Sequence, residues 1–256
     1  MVLAHGMFSN FRACRGLAKY LASLGFECWL LDSQGHGLSD KPANDPSFES
    51  MSLEDTQAVL EYFSGCEQQP LWWVGHSGGG LAMLMYLSRF PEHQTKVTGL
   101  VTLASQTTEA GRSWRSRAIF RVSRIVLKVL NTAPGKLLSL GPENEFASVM
   151  DQWLAWSIKG RWSGYDGFDY MHAMQSVTAP VLSLAAVADR FIAPSVGVEK
   201  LHRSIGSTDK TFAIFGKAHG HLEDYTHARL ISSRNASVDV WPLIGEWLLE
   251  RCEKNI

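Results

Sequence analysis

Residues 71–80 read Leu-Trp-Trp-Val-Gly-His-Ser-Gly-Gly-Gly, and this stretch decides how the rest of the chain is interpreted. An apolar strand runs into the pattern G-x-S-x-G at Gly75–Gly79, and Leu81–Phe90 follows as a predicted helix. A serine between a strand and a helix in this pattern is typical of a nucleophile elbow, because small neighbours permit a strained backbone at the serine. The free N–H groups of the helix N-terminus would also stabilise a developing oxyanion. The stretch predicts Ser77 as a nucleophile, with a glycine-rich turn that happens to contain a serine as the alternative.

Five other short apolar runs predict strands, and helical patterns separate most of them. These runs are continuously apolar, which is expected of a parallel sheet that is covered by helices on both faces. The alternation predicts an α/β fold with a mostly parallel sheet of about six strands. The predicted strands are Met1–Ala4, Phe26–Leu31, Leu71–Gly75, Val97–Leu103, Pro180–Val187 and Thr211–Phe215, and the predicted helices are Phe11–Leu24, Leu53–Phe63, Leu81–Phe90, Val198–Ile205 and Val238–Arg251.

Composition excludes several classes of protein. The chain has 256 residues, 45% of them hydrophobic and 19% charged, with a net charge of −1. These values are incompatible with a disordered chain or a strongly basic nucleic-acid binder. The sequence contains neither an apolar run long enough for a transmembrane helix nor a secretory signal. The cysteines are widely spaced and predict neither disulfides nor a zinc site; they are Cys14, Cys28, Cys66 and Cys252. We therefore expect a cytoplasmic protein without a nucleic-acid partner.

The interval 106–178 interrupts the alternation of strands and helices. It contains no convincing strand and holds four of the nine tryptophans. Because a structureless loop of this length is implausible, we interpret it as a helical cap inserted into the sheet domain. The predicted domains are a core made of residues 1–105 and 179–256, and a cap made of residues 106–178. Within the cap, the spacing of Arg117, Arg121, Arg124 and Lys128 predicts an amphipathic helix with a solvated basic face, and a lid helix that meets anionic interfaces is the alternative.

Two further motifs make the chain resemble the α/β-hydrolase superfamily over nearly its whole length. His5-Gly6-Met7-Phe8 follows the first predicted strand, as the HG-x oxyanion loop does in that superfamily, and Asp32–Ser39 matches its structural D-x-x-G-x-G-x-S segment. The resemblance implies that the cap follows the sixth strand of the family. It also implies that the backbone N–H groups of Met7 and Gly78 hold the oxyanion.

The resemblance further implies an acid and a base for Ser77, in the chain order Ser, Asp, His. Asp189 ends a predicted strand and resembles the acid of the family segment G-x-x-D-x-x-x-x-P, with Ala186 in the usual glycine place. An exposed helix cap is the alternative role for Asp189.

Three histidines follow the last predicted strand and compete for the role of base: His219, His221 and His227. Distance from the strand end favours His219 or His221. The run from Tyr225 to Ile231 instead resembles the Y-x-H-x-D ending of acid-lipase-like and related bacterial hydrolases, which makes His227 the base, although Arg229 stands where that ending usually has Asp. We predict His227, with His221 as the alternative.

The chain opens on the strand that is the third in the superfamily. Two hypotheses follow: the natural protein starts upstream of Met1, or the apolar edge at Phe26–Leu31 is covered by a second copy of the chain in a homodimer.

The sequence thus predicts a serine esterase or lipase-like hydrolase that acts on a small hydrophobic ester, with Ser77, Asp189 and His227 as the triad and Met7 and Gly78 at the oxyanion hole. No cofactor or metal site is implied. An acyltransferase, a thioesterase, or a hydrolase of amide or C–C bonds would use the same triad, and a non-catalytic ligand-binding member of the fold is a further alternative.

Overall fold

The computed structural model describes residues 1–65 and 71–253, so Cys66 lies outside the described residues. The strands are β1 (Val2–Ala4), β2 (Trp29–Leu31), β3 (Trp72–His76), β4 (Gly99–Leu103), β5 (Thr132–Ala133), β6 (Glu145–Phe146), β7 (Val181–Ala186) and β8 (Lys210–Phe215). The α-helices are α1 (Arg15–Ser23), α2 (Phe48–Tyr62), α3 (Gly78–Arg89), α4 (Trp114–Leu130), α5 (Ala147–Lys159), α6 (Tyr170–Ala173), α7 (Ser195–Ser204), α8 (Arg229–Ser232) and α9 (Ala236–Glu253).

Six strands form one sheet in the order β2-β1-β3-β4-β7-β8, and every neighbouring pair is parallel. The predicted α/β fold with a parallel sheet of about six strands is therefore confirmed. Strand β3, which leads into Ser77, lies inside the sheet between β1 and β4. Because the carboxyl ends of parallel strands meet at one edge of a sheet, this order brings the loops after β1, β3 and β7 together.

The strands are continuously apolar because both faces of the sheet are buried. In β3, Trp73 packs into one hydrophobic cluster with helices α2 and α3, whereas Trp72 and Val74 pack into a second cluster with helices α1 and α9. Successive side chains of a strand point to opposite faces, so each face of the strand needs its own apolar residues.

Helix α2 begins at Phe48, five residues before the predicted start at Leu53. The cause is a capping box, in which the Ser47 hydroxyl accepts from the Ser50 N–H and the Ser50 hydroxyl accepts from the Ser47 N–H. Polar residues at a helix start satisfy backbone donors that periodicity alone does not reveal.

The interval 106–178 does contain strands, so the prediction that it has none is wrong. Helix α4 ends at Leu130, and its C-cap residue Asn131 adopts the left-handed conformation (φ 52°). The chain then returns so that β5 pairs with β6 in an antiparallel sheet of two strands. Each of these strands is only two residues long, which is too short to leave an apolar pattern in the sequence.

Strand β2 forms one edge of the main sheet, and its Trp29 is 41% exposed. The ring of Trp29 packs edge-on against the rings of Tyr62 and Phe63, with centroids 5.6 and 5.4 Å away. Pairing of this edge with a second copy of the chain remains a prediction. Within the part of the chain that the structure describes, no helix has the length and hydrophobicity needed to cross a membrane.

Replacing Trp73 by Phe tests whether β3 depends on a specific buried hydrogen bond. Trp73 is fully buried, and its indole N–H donates to the Gly79 carbonyl over 2.8 Å. Trp73→Phe removes this second donor to the Gly79 carbonyl and leaves a gap beside a fully buried ring, so we expect the free energy of unfolding to fall by about 1–3 kcal/mol in urea titrations. Trp29→Phe is the control, because substitution at this half-exposed position should change stability by no more than about 0.5 kcal/mol. Equal losses in both variants would contradict the explanation.

Candidate active site

Ser77 stands between β3 and α3 with a left-handed backbone (φ 53°, ψ −117°). A non-glycine residue in this region is strained and persists only where its surroundings hold it there. The Ser77 N–H donates to the Leu103 carbonyl over 2.7 Å, and the Ser77 carbonyl accepts from the Ser105 hydroxyl over 2.8 Å. Strand β4 and the loop after it therefore hold the strained residue from both sides.

The glycines around Ser77 are required by space. A methyl group at Gly75 would lie 2.3 Å from the Gly80 nitrogen, and one at Gly79 would lie 2.5 Å from the Ala4 carbonyl oxygen. Gly6, from the loop after β1, is equally confined, since a methyl group there would lie 2.8 Å from the Cβ of Ser77. The structure thus gives a steric reason for both glycines of G-x-S-x-G and for the glycine of the His-Gly pair.

Asp189 and His227 are brought together across 38 residues of sequence. Their atoms His227 Nδ1 and Asp189 Oδ2 lie 2.5 Å apart, and the other Asp189 oxygen accepts from the N–H groups of Ile192 (3.2 Å) and Ala193 (2.9 Å). Burial would raise the pKa of Asp189, but the hydrogen bonds from His227 and from these two N–H groups outweigh it and hold the pKa below its ordinary value. The carboxylate is therefore ionised and fixes the orientation of the His227 ring.

His221 lies in a different environment from His227. Its Nδ1 lies 3.2 and 3.1 Å from the backbone nitrogen and oxygen of Gly216, and its ring packs against Phe215 with centroids 4.4 Å apart. Among the described residues, it makes no hydrogen bond with Asp189. Arg229, which departs from the family ending, forms two hydrogen bonds with Glu223 (3.0 and 2.5 Å).

His76 contributes to the site in a way that sequence analysis missed. Its Nε2 lies 3.0 Å from the carbonyl oxygen of His227, and the two rings are 4.7 Å apart. Burial lowers the pKa of His76 to about 3, so the ring is neutral and Nε2 must carry the proton that this carbonyl accepts. His76, the residue before Ser77, therefore donates a hydrogen bond to the backbone of His227. Nothing in the sequence indicated this contact.

The loop of residues 5–8, called here the 5–8 loop, follows β1 and lies beside Ser77. Burial lowers the pKa of His5, and the Ser33 N–H donates to His5 Nε2 over 3.2 Å, so the ring proton sits on Nδ1. Nδ1 then donates to the Gly6 carbonyl over 2.7 Å. This bond fixes the Gly6–Met7 peptide plane, and the Met7 N–H points away from the Gly6 carbonyl in a trans peptide.

Met7 and Gly78 are the residues whose backbone N–H groups the resemblance implies for the oxyanion hole. Gly78 is the first residue of α3, where backbone N–H groups have no partner within the helix. Within residues 1–65 and 71–253, neither N–H donates a hydrogen bond. The two residues are neighbours, because a methyl group at Gly78 would lie 3.6 Å from the Cγ of Met7.

A cavity of about 760 Å³ opens onto Ser77 and His227. Its other lining residues are apolar apart from Ser123, and most come from α4, α5 and the chain segment 133–140. Such a volume accommodates a small molecule, and its lining binds apolar groups.

Helix α4 has the predicted basic face, with Arg117, Arg121 and Lys128 exposed, but many of its apolar side chains are also exposed. Several of them line the cavity and are at the same time exposed to solvent; among these are Ile119 (56%), Val122 (61%) and Val126 (47%). On the basic face, Arg124 is not simply solvated, because it forms two hydrogen bonds with Asp151 (2.6 and 2.8 Å). Helix α4 therefore buries Phe120 and Leu127 in the core and also contributes exposed apolar side chains to the cavity.

No group of three or more His, Cys, Asp or Glu residues in the described part of the chain is arranged to hold a metal ion.

Comparison with known proteins connects this geometry to a family. The family described as serine aminopeptidase, S33, matches residues 1–224. No curated protein matches the chain in sequence. The fold is similar to that of a monoacylglycerol lipase from Paleococcus ferrophilus, with 19% identity, a TM-score of 0.69 and coverage of 98% of this chain and 93% of that one. It is also similar to that of a thermophilic esterase from Thermogutta terrifontis, with 16% identity, a TM-score of 0.69 and coverage of 98% of this chain and 89% of that one. A soluble variant of monoglyceride lipase from Saccharomyces cerevisiae is similar too, with 17% identity, a TM-score of 0.72 and coverage of 98% of this chain and 85% of that one.

The lowered pKa of Asp189 predicts how stability depends on pH. Because the pKa of the folded protein lies below the ordinary value of 3.8, ionised Asp189 stabilises the fold fully above that value, and this contribution is lost as the pH falls through the folded pKa. We expect the difference in free energy of unfolding between the wild type and Asp189→Asn to shrink on acidification from about pH 6 to about pH 3. Asp45→Asn, at an exposed carboxylate, is the control and should show no such trend. If the difference in free energy of unfolding between the wild type and Asp189→Asn grew on acidification, the pKa of Asp189 would be raised in the folded protein and not lowered.

Proposed function

Because the chain belongs to the serine aminopeptidase S33 family of α/β-hydrolases, we propose that it is a serine hydrolase that cleaves carboxylic esters with apolar acyl chains. One observation carries the proposal: Ser77 and His227 line the same apolar cavity, and Asp189 Oδ2 lies 2.5 Å from Nδ1 of the His227 ring. Ser77, His227 and Asp189 are accordingly proposed as nucleophile, base and orienting acid.

In the proposed reaction, the Ser77 hydroxyl oxygen bonds to the ester carbonyl carbon while His227 Nε2 takes the hydroxyl proton. The carbonyl oxygen becomes an oxyanion, which accepts hydrogen bonds from the N–H groups of Met7 and Gly78. As the ester C–O bond breaks, His227 gives the proton to the leaving alcohol, and an acyl-enzyme remains. Water then attacks the acyl carbon by the same route and releases the acid and free Ser77.

The composition of the cavity favours an ester with an apolar acyl group over a peptide substrate. An aminopeptidase must bind the charged α-amino group of its substrate, and a carboxylate is the usual partner for such a cation. The residues that line the cavity include no Asp or Glu, and its polar side chains are Ser77, Ser123 and His227. A free α-amino group would therefore lose its hydration there without gaining a counter-charge.

We further propose that residues 106–178 act as the cap of this site. Helices α4 and α5 from this segment supply much of the cavity lining, including Ile119, Phe120, Met150 and Trp153. The proposed catalytic groups all come from the sheet domain, from the loops after β1, β3, β7 and β8. In this arrangement the sheet domain carries the chemistry and the cap selects the acyl group.

Substitution of the proposed triad tests the assignment of each residue. Ser77→Ala and His227→Ala should each lower kcat for p-nitrophenyl esters by about 10⁴-fold or more, because the nucleophile and its base act as a unit. His221→Ala is the matched control, with the same side chain removed from the same loop, and should retain activity close to wild type. If His221→Ala were the inactive variant, the base would be misassigned. Turnover of aminoacyl p-nitroanilides without turnover of any ester would overturn the proposed substrate class.

Acyl chain length tests the role of the cavity. Each added methylene that enters the cavity is worth about 0.8 kcal/mol, so kcat/KM should rise about fourfold per methylene from acetate until the cavity is filled. Val126→Trp narrows the cavity and should move the optimum to shorter acyl chains. Val129→Trp is the control, because Val129 lies on the same helix, is 80% exposed and is not among the lining residues. If the wild type, Val126→Trp and Val129→Trp showed the same dependence of kcat/KM on acyl chain length, the acyl chain would not bind in this cavity.

A further inference from the structure

A buried carboxylate in the interval 106–178 contacts the backbone next to the proposed oxyanion hole. The side chain of Glu145, in β6, is fully buried. One of its oxygens, Oε2, accepts from the Phe8 N–H over 3.2 Å and lies 3.2 Å from His36 Nε2. The other oxygen accepts from the N–H of Phe146 over 3.0 Å.

Phe8 is the last residue of the 5–8 loop, and its backbone is strained. Its φ is 61°, in the left-handed region, which is unusual for a bulky aromatic residue. Both backbone groups of Phe8 are held by the chain segment around β6, because the Phe8 carbonyl accepts from the Glu143 N–H over 3.0 Å. Gly141 makes this approach possible, since a methyl group there would lie 2.1 Å from the Phe8 carbonyl oxygen. The conformation of Phe8 thus depends on residues far away in the sequence.

His36 supplies the positive charge that a buried carboxylate needs. Burial would lower the pKa of His36, but the bond with Glu145 outweighs it and raises the pKa. His36 Nδ1 lies 3.1 Å from the Gln34 carbonyl and donates to it, while Nε2 faces Glu145 Oε2 at the ion-pair distance of 3.2 Å. No Lys or Arg among residues 1–65 and 71–253 forms an ion pair with Glu145, so His36 is its counter-charge in the described structure.

We propose that Glu145, paired with His36, is a positioning residue that sets the oxyanion hole by holding the Phe8 N–H; this inference rests on the proposed function. The Phe8 N–H belongs to the Met7–Phe8 peptide, which directly follows the N–H that Met7 presents to the oxyanion. The two peptides that flank Met7 are then held by one contact each, the first by His5 through the Gly6 carbonyl and the second by Glu145 through the Phe8 N–H, and the proposal is that both contacts together fix the Met7 N–H.

If Glu145 positions the oxyanion hole, its loss should lower kcat and leave KM nearly unchanged. An oxyanion hole works only when its donors already point to where the charge develops, and removal of one donor costs about 10²–10³-fold in kcat. Without Glu145, the 5–8 loop can relax from the left-handed conformation at Phe8 and turn the Met7 N–H away from the carbonyl oxygen. The ground-state ester is bound mainly by the apolar cavity, so KM should change little while kcat falls.

Steady-state kinetics and amide hydrogen exchange of Glu145→Ala test the proposal in the full chain. We expect kcat for p-nitrophenyl esters to fall about 100-fold with KM within about twofold, after normalisation to the Ser77 sites that a fluorophosphonate labels on prolonged incubation. Exchange of the amides of residues 6–9 should become faster. Glu145→Gln should restore kcat to within about tenfold of wild type, because its amide oxygen can still accept from the Phe8 N–H.

Glu143→Ala is the matched control. Glu143 lies in the same segment, but its carboxylate contacts the Asn10 side chain, and its contact with Phe8 is made by its backbone N–H, which the substitution keeps. Exchange of residues 6–9 and kcat should therefore stay near wild type in this variant.

A double variant that combines Glu145→Ala with His36→Gln tests whether His36 acts through Glu145 or independently of it. Since His36 acts through Glu145, adding His36→Gln to Glu145→Ala should lower kcat by less than about twofold further.

Three results would overturn the proposal: unchanged exchange of residues 6–9 in Glu145→Ala, an unchanged kcat with faster exchange, or an equal loss in Glu143→Ala. Failure of the proposed function has a different signature, namely a wild-type chain that cleaves none of the esters. In that case the rate at which the fluorophosphonate labels Ser77, compared between wild type and Glu145→Ala, replaces kcat and decides the role of Glu145 together with the exchange data.

Discussion

The left-handed backbone at Ser77 is the constraint on which the rest of the structure depends. It lets a buried strand turn within one residue into a helix, so that the serine side chain stands at the edge of the sheet. The turn exists because no side chain occupies the space at Gly75 and Gly79 and because β4 binds the Ser77 backbone. The strand order around β3 and the close approach of Gly6 are therefore conditions for presenting the Ser77 side chain there at all.

The parts of the fold that could be predicted are those determined by residues close together in the sequence. The stretch that contains Ser77 encodes strand, turn and helix within about twenty residues, because the steric needs of the turn are met by its own neighbours. The choice between His221 and His227 could not be settled locally. It depends on which ring reaches Asp189, a contact between residues 38 positions apart, and motif resemblance rather than spacing from the strand indicated the histidine that makes it.

The interval 106–178 shows where sequence patterns mislead. The spacing of its basic residues predicted helix α4, whereas helix α5 was not predicted individually. What the apolar side of α4 contacts was not predictable either, since periodicity indicates that a face is apolar and not what covers it. Glu145 left no signal either. A single glutamate between Asn144 and Phe146 is ordinary in sequence, and its importance arises from Phe8, 137 residues away, and from His36. Short strands such as β5 and β6 depend on the same distant contacts.

The contact between Phe8 and Glu145 also bears on how the chain reaches its native state. Helices and the turn at Ser77 need only near neighbours, whereas pairing of β4 with β7 brings together Leu100 and Val181 and encloses the whole interval between them. Closing such long loops has an entropic cost that grows with their length, and folds rich in distant parallel pairing assemble slowly. The Phe8–Glu145 bond spans 137 residues and needs both the sheet and the interval in place, so we expect it to form late in assembly. On the proposed function, a partly assembled chain would then present Ser77 before its oxyanion hole is set, and would be inactive until the Phe8–Glu145 contact has formed.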